Sequence, residues 1–265
     1  MKKTSLKKML IITYALIALI VAAVVSGVAI YYIRSSTDMA YSNYEDAMNQ
    51  GYNTEIKSEV QSSIAVIEYY YNRFKAGELT EEQAKTEAKE AVRKMRYRDD
   101  NSGYMWIDAS DYSLVMHPIL PQNEGQNRYT LQDQNGVMII QEIMKTANNG
   151  GGYNQFYFTK ADGVTVALKV AYSQKFEPWG WVVTTGNYVD DMEAEMSEVE
   201  GQIRDNFSSM VMMILIIAVI LLIVAIIISY IESENIIVKP LKQIQQMAAR
   251  IADGDITQDA SVKIM

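Results

Sequence analysis

Residues 9–33 read MLIITYALIALIVAAVVSGVAIYYI, and residues 210–231 read MVMMILIIAVILLIVAIIISYI. Neither run carries a charge. Each is long enough, as a helix, to cross the roughly 30 Å hydrocarbon core of a bilayer. Between them lie about 175 mostly polar residues. The layout implies one domain outside the membrane, tethered at both ends, with residues 1–8 and 232–265 on the inner side.

Lys2, Lys3, Lys7 and Lys8 precede the first run, and Arg34 follows it. Basic residues stay on the cytoplasmic side, so the N-terminus is expected inside and residues 34–209 outside. A cleaved signal peptide is the competing reading. Its apolar core would be only about 7–15 residues and would end in small residues. This run is longer and ends in Tyr31-Tyr32-Ile33, and tyrosines there suit an interfacial anchor.

Composition excludes several chemistries. There is no cysteine, so disulfides and thiolate catalysis are out. His117 is the only histidine, which rules out a multi-histidine zinc centre. No serine–histidine–aspartate motif, phosphate loop or cofactor fingerprint is found. The protein is therefore expected to be no enzyme and to need no cofactor. Residues 35–209 hold 15 Lys+Arg and 27 Asp+Glu, 15 − 27 = −12. A surface this acidic repels nucleic acid. An anionic ligand would have to be held by a few sheltered cations.

Along the outer segment, Tyr44, Met48, Tyr52, Ile56, Val60, Ile64, Ile67, Tyr71 and Phe74 recur at steps of three and four. That spacing predicts a long amphipathic helix, its stripe serving as core or dimer seam. Thr80-Glu81-Glu82-Gln83 forms a capping box for a second helix ending near Tyr97. The period then changes to two. Strands are expected at 104–108, 113–117, 154–159, 164–175 and 181–188, with turns at Ala109-Ser110-Asp111 and Ala161-Asp162-Gly163, and a helix over 137–147. After the second run, Ile237, Leu241, Ile244, Ala248 and Ile251 step by 4, 3, 4 and 3, a seam that calls for partner helices and hence a homodimer.

Several blocks then stand in a telling order: Gly103 to Asp108 (GYMWID), Met116-His117-Pro118, Glu124 to Asn127 (EGQN), Asp133 to Gly136 (DQNG), Gly150 to Tyr153 (GGGY), Leu168 to Tyr172 (LKVAY) and Phe176 to Gly186 (FEPWGWVVTTG). In order and spacing they resemble the single Cache sensory domain. Pro240-Leu241 and Gly254-Asp255-Ile256 resemble the first helix of a HAMP relay. The whole resembles the sensor half of a methyl-accepting chemotaxis receptor, covering residues 36–256. The resemblance implies an α+β, PAS-like antiparallel sheet of about five strands with a long N-terminal helix, flanked by two transmembrane helices. It also implies an inner-membrane location and an organic-acid ligand of two to four carbons, such as acetate, propionate, pyruvate or lactate. No second HAMP helix and no methylated hairpin follow, so the chain is expected to be a fragment, an engineered piece or a truncated gene product. Histidine kinases and cyclic-dinucleotide enzymes can share this front half.

The chain offers groups that suit such a ligand. A buried carboxylate needs a cation or several donors. Arg96 could grip it with its planar fork. His117, followed by Pro118, could donate, and if protonated would make binding depend on pH near 6–7. Lys169 sits in an otherwise apolar strand, and Tyr104, Trp106, Tyr172 and Trp179 would wall the pocket. Lys169 and Tyr172 fall on opposite faces of a regular strand, so placing both at the ligand requires a bulge. An amine or amino-acid ligand is the alternative, with Asp108, Asp111 or Asp133 as the counter-charge.

Overall fold

A computed structural model describes residues 6–160 and 162–253. Lys2 and Lys3, Ala161 of the expected turn, and Gly254-Asp255-Ile256 of the expected helix end lie outside the described residues. The described residues form two compact units, one within 42–200 and one of 6–41 with 201–253.

The first of these covers most of the stretch expected to form the sensory domain, and is called the sensory unit for that reason. It opens with the later part of α1 (Leu6–Lys75), then α2 (Glu81–Lys94). The capping box forms as read. Thr80 Oγ1 accepts from the Gln83 amide, and the Gln83 side chain accepts from the Thr80 amide. The helix stops at Lys94, because Met95 turns extended. Five strands follow: β1 (Trp106–Ala109), β2 (Leu114–Met116), β3 (Gly152–Thr159), β4 (Val166–Phe176) and β5 (Trp181–Tyr188), with α3 (Ile139–Asn148) before β3. They make one antiparallel sheet in the order β2-β1-β5-β4-β3.

Period-two alternation divides the sheet residues between two cores. On one face Met105, Ile107, Tyr172, Phe176, Trp181 and Val183 pack against Ile56, Val60 and Ile67 of α1 and Ala88 and Val92 of α2. The expected helical stripe is therefore core for this part of its length. On the other face Tyr104, Trp106, Phe156, Ala171 and Val182 pack against Ile139, Ile140, Ile143 and Met144 of α3. Gly186 of β5 pairs with Ala171 of β4. A Cβ there would stand 2.4 Å from the Val170 carbonyl oxygen, so glycine permits the close pairing.

The second unit contains the apolar runs. Both lie within helices long and apolar enough to cross a membrane, in α1 and in α4 (Val189–Glu232). Residues of both runs, including Ala18, Ala22, Ser26, Ala218, Ala225 and Ser229, line one apolar groove. A π-helical segment, Ser233–Val238, precedes α5 (Lys239–Ala252). Ile237 lies in that segment, where the helix is wound wider, so the even seam starts at Leu241. Leu241, Ile244 and Ile251 are exposed.

Candidate functional site

The candidate site lies on the α3 side of the sheet. Tyr104, Trp106 and Asp108 share one face of the β1 segment by period two. Lys169 on β4 and Tyr188 on β5 face the same way, and the two are register partners. Lys169 is 1% exposed. Its ammonium lies 4.8 Å from the centre of the Tyr104 ring, 5.1 Å from that of Trp106 and 4.6 Å from that of Tyr188. Its Nζ is 3.5 Å from the Tyr104 hydroxyl. Among the described residues no carboxylate comes within 4.0 Å of it. Burial, with the charge of Arg98, pushes this ammonium down to about 7. The three ring faces work the other way and favour the charged form.

His117 closes the same wall. Its ring stacks at 5.9 Å on Trp106 and tilts at 5.4 Å against Tyr104. The Ile119 and Leu120 amides both donate to Nδ1, at 3.2 and 3.1 Å. The proton of the neutral ring therefore belongs on Nε2, which remains a donor. Burial first, then the charges of Arg128, Lys169 and Arg93, pushes the imidazole down to about 3. A neutral His117 replaces the expected charged switch near pH 6–7. The backbone here is held by Glu124, which accepts the His117 amide at 3.0 Å and pairs with Arg93 of α2 at 2.6 Å.

Arg128 is the cation that sequence reading missed. It donates from Nε to Asp108 Oδ1 at 3.1 Å and from Nη2 to the same oxygen. Asp108 is fully buried and also accepts the Trp106 indole N–H at 3.1 Å. Burial pushes the Asp108 carboxyl up, and the guanidinium opposes that shift.

These groups border two adjoining hollows. Tyr104, His117, Arg128, Gln132, Phe158 and Thr159 help line one of about 730 Å³. Tyr104, Lys169, Tyr188, Arg98 and Asn187 help line a recess of about 260 Å³. Lys160 and Asp162 border both.

Four expected site residues, Tyr104, Trp106, His117 and Lys169, thus come together. Pro118 is half-buried and follows His117 directly. Arg96, Tyr172 and Trp179 are not brought to this place. Arg96 is exposed beyond the end of α2, and its guanidinium donates to the carbonyls of Arg93 and Met95, both at 2.8 Å. Orphan helix-end carbonyls attract such a cation. No bulge interrupts β4, so Tyr172 faces the α1 side. Trp179 packs on that same side against Tyr71, Phe176 and Trp181. The aspartates of the alternative ligand reading are engaged within the chain. Asp108 holds Arg128, Asp111 accepts from Ser113, and Asp133 accepts the amides of Asn135, Val137 and Tyr157.

Known proteins are similar to this chain in sequence and in fold. The family described as Single Cache domain 2 matches residues 48–202. The methyl-accepting chemotaxis protein McpP of Pseudomonas putida is 33% identical over 147 residues, 55% of this chain and 26% of that one. The sensor histidine kinase MctS of Rhizobium johnstonii is 28% identical over 64% of this chain and 36% of its own length. The methyl-accepting chemotaxis protein CtpM of Pseudomonas aeruginosa is 24% identical over 97% of this chain and 46% of its own. The chain therefore spans less than half the length of each of these curated relatives. Among solved structures, a periplasmic sensor domain of a chemotaxis protein aligns with TM-score 0.52 and 30% identity, over 54% of this chain and 98% of that one. A Cache chemosensory domain described for its carboxylic acid recognition aligns with TM-score 0.51 and 27% identity, over 54% and 97%. With the family matching most of the sensory unit, and the five-stranded sheet and its flanking helices in agreement, this chain belongs to the Single Cache domain 2 family.

Proposed function

We propose that the sensory unit binds a small organic acid of two to four carbons, such as acetate, propionate, pyruvate or lactate. The observation that carries this reading is Lys169: an ammonium 1% exposed, ringed by aromatics, with no carboxylate of the described residues within 4.0 Å. Leaving a buried cation unpaired costs several kcal/mol, and an entering carboxylate recovers much of it. The Nε2 proton of His117 and the Tyr104 hydroxyl supply further donors. Trp106 and the Tyr188 ring exclude water, and Pro118 holds the turn that presents His117.

In this reading the protein is an inner-membrane receptor with a cytoplasmic N-terminus and its domain on the outer side, acting as a homodimer. The acid draws in Lys169, the β5 end moves, and α4 carries a shift to a HAMP-type relay. Such shifts are about 1–2 Å, with coupling of roughly 1–3 kcal/mol. Two of the relatives named above are chemotaxis receptors and one is a histidine kinase. A chemotaxis output is the reading these relatives favour, and a kinase output is its alternative.

The test is a calorimetric titration of the full chain in lipid nanodiscs against acetate, propionate, pyruvate and lactate. Saturable one-site binding of at least one acid supports the reading. A folded protein that binds none of them rejects it.

A further inference from the structure

The charges around the two hollows do not act alone. Arg98 pairs with Glu55 at 2.7 Å. Lys160 pairs with Asp190 at 2.8 Å and with Asp191 at 2.7 Å. The carboxylate of Asp162 folds back to accept from Thr165 and Val164. The Asp108 carboxylate holds Arg128 through two N–H bonds. Among the described residues, Lys169 is left as the one cation bordering these hollows without a carboxylate partner. His117 adds no charge, since two backbone amides occupy its Nδ1 and the ring stays neutral.

We propose that Asp108 sets the charge number of the ligand: by pairing with Arg128 inside the site it leaves Lys169, among the described residues, as the one bordering cation without a carboxylate partner, so the site accepts monocarboxylates and rejects dicarboxylates. This rests on the carboxylate reading above and narrows it. A first carboxylate meets Lys169. A second would enter beside a guanidinium whose charge Asp108 already cancels, close to a rim that carries Asp162 and Asp191. Nothing would balance it, and an uncompensated buried charge is among the most costly things a site can hold. Volume does not impose this choice: the recess beside Lys169 is about 260 Å³ and shares Tyr104, Lys160 and Asp162 with the hollow of about 730 Å³, room enough for a four-carbon diacid. Asp108 selects through Arg128 and needs no contact with the ligand.

The experiment compares butyrate with succinate, and propionate with malonate, by calorimetry on the full chain in nanodiscs. The native protein is expected to prefer each monoacid by roughly a hundredfold or more. Asp108→Asn frees the Arg128 charge and is expected to shrink that preference at least tenfold by raising diacid affinity. The double variant Asp108→Asn with Arg128→Gln removes both charges, leaves an amide pair in their place, and is expected to restore the native ranking. It also decides the matter should the single variant not fold. Native protein that binds succinate as tightly as butyrate overturns the proposal, as does a folded Asp108→Asn with an unchanged ratio. A folded double variant that has lost the native preference overturns it too. Native protein that binds none of the four acids overturns the carboxylate reading itself, a distinguishable result.

Discussion

The Lys169 ammonium lies 4.6 Å from the centre of the Tyr188 ring, and Tyr188 is the last residue of β5, directly before the first residue of α4. The Tyr188 hydroxyl in turn donates to the Thr159 carbonyl at 2.8 Å, which ties the β5 end to β3. A ligand that draws on Lys169 therefore acts one ring away from the helix that leaves the domain. Removing that ring in Tyr188→Ala takes one aromatic face from the cation, a desolvated contact of about 1–2 kcal/mol. Calorimetry should show acid affinity falling by roughly 5- to 30-fold. Tyr188→Phe keeps the face and should stay within a few-fold of native.

Replacing Lys169 with methionine separates function from stability. The stem stays buried and the charge goes. Acid binding should vanish. The ligand-free protein should become more stable, by about 1–4 kcal/mol, because a buried ion without a partner gives way to an apolar side chain of similar length. Thermal unfolding of the sensory unit in the ligand-free protein checks this. A lower melting temperature would mean that the ammonium has a stabilising partner in solution.

The pH dependence should follow Lys169 and not His117. With His117 held down to about 3, no change in affinity is expected around pH 6.5. With Lys169 held down to about 7 in the ligand-free protein, it is charged below that pH and largely neutral above it, while the acid stays ionised across the range. Affinity should be level from pH 5.5 to 6.5 and fall by up to tenfold per unit above 7. At pH 8 each bound acid should take up close to one proton, read from the buffer dependence of the binding enthalpy. The same shift acts on folding. Between about 7 and the ordinary lysine value of 10.5 the unfolded chain binds the proton that the folded one sheds. On account of this group, stability of the ligand-free protein rises with pH across that window.

Gly186→Ala tests the packing of the two central strands. The new methyl would meet the backbone of β4, with Val170 O at 2.4 Å and Ala171 Cα at 2.8 Å. Neither can turn away as a side chain would. Destabilisation of about 3 kcal/mol or more is expected, or failure to fold. Denaturant unfolding measures it.

The elements were legible wherever a local period was strong. The Thr80 capping box, the strand at 181–188 and the long helix below Phe74 each carry their own signal, and the structure has all three. The face of each strand residue was legible as well. Parity along β4 separates Lys169 from Tyr172, and the unbulged strand keeps them apart. Arg128 was hidden for a physical reason. It sits in an irregular loop between β2 and α3, where no period applies, and the partner that gives it meaning is Asp108, 20 residues away. Arg96 misled because helix ends attract cations regardless of any ligand, and its two carbonyl contacts are of that kind.

A crystal structure of the sensory unit bound to the tightest-binding acid of the panel tests the central claim most directly. The account predicts a carboxylate oxygen within about 3.2 Å of Lys169 Nζ, on the α3 side of the sheet and within reach of His117 Nε2. An acid found instead on the α1 side, beside Tyr172 and Trp179 with Lys169 untouched, would contradict it.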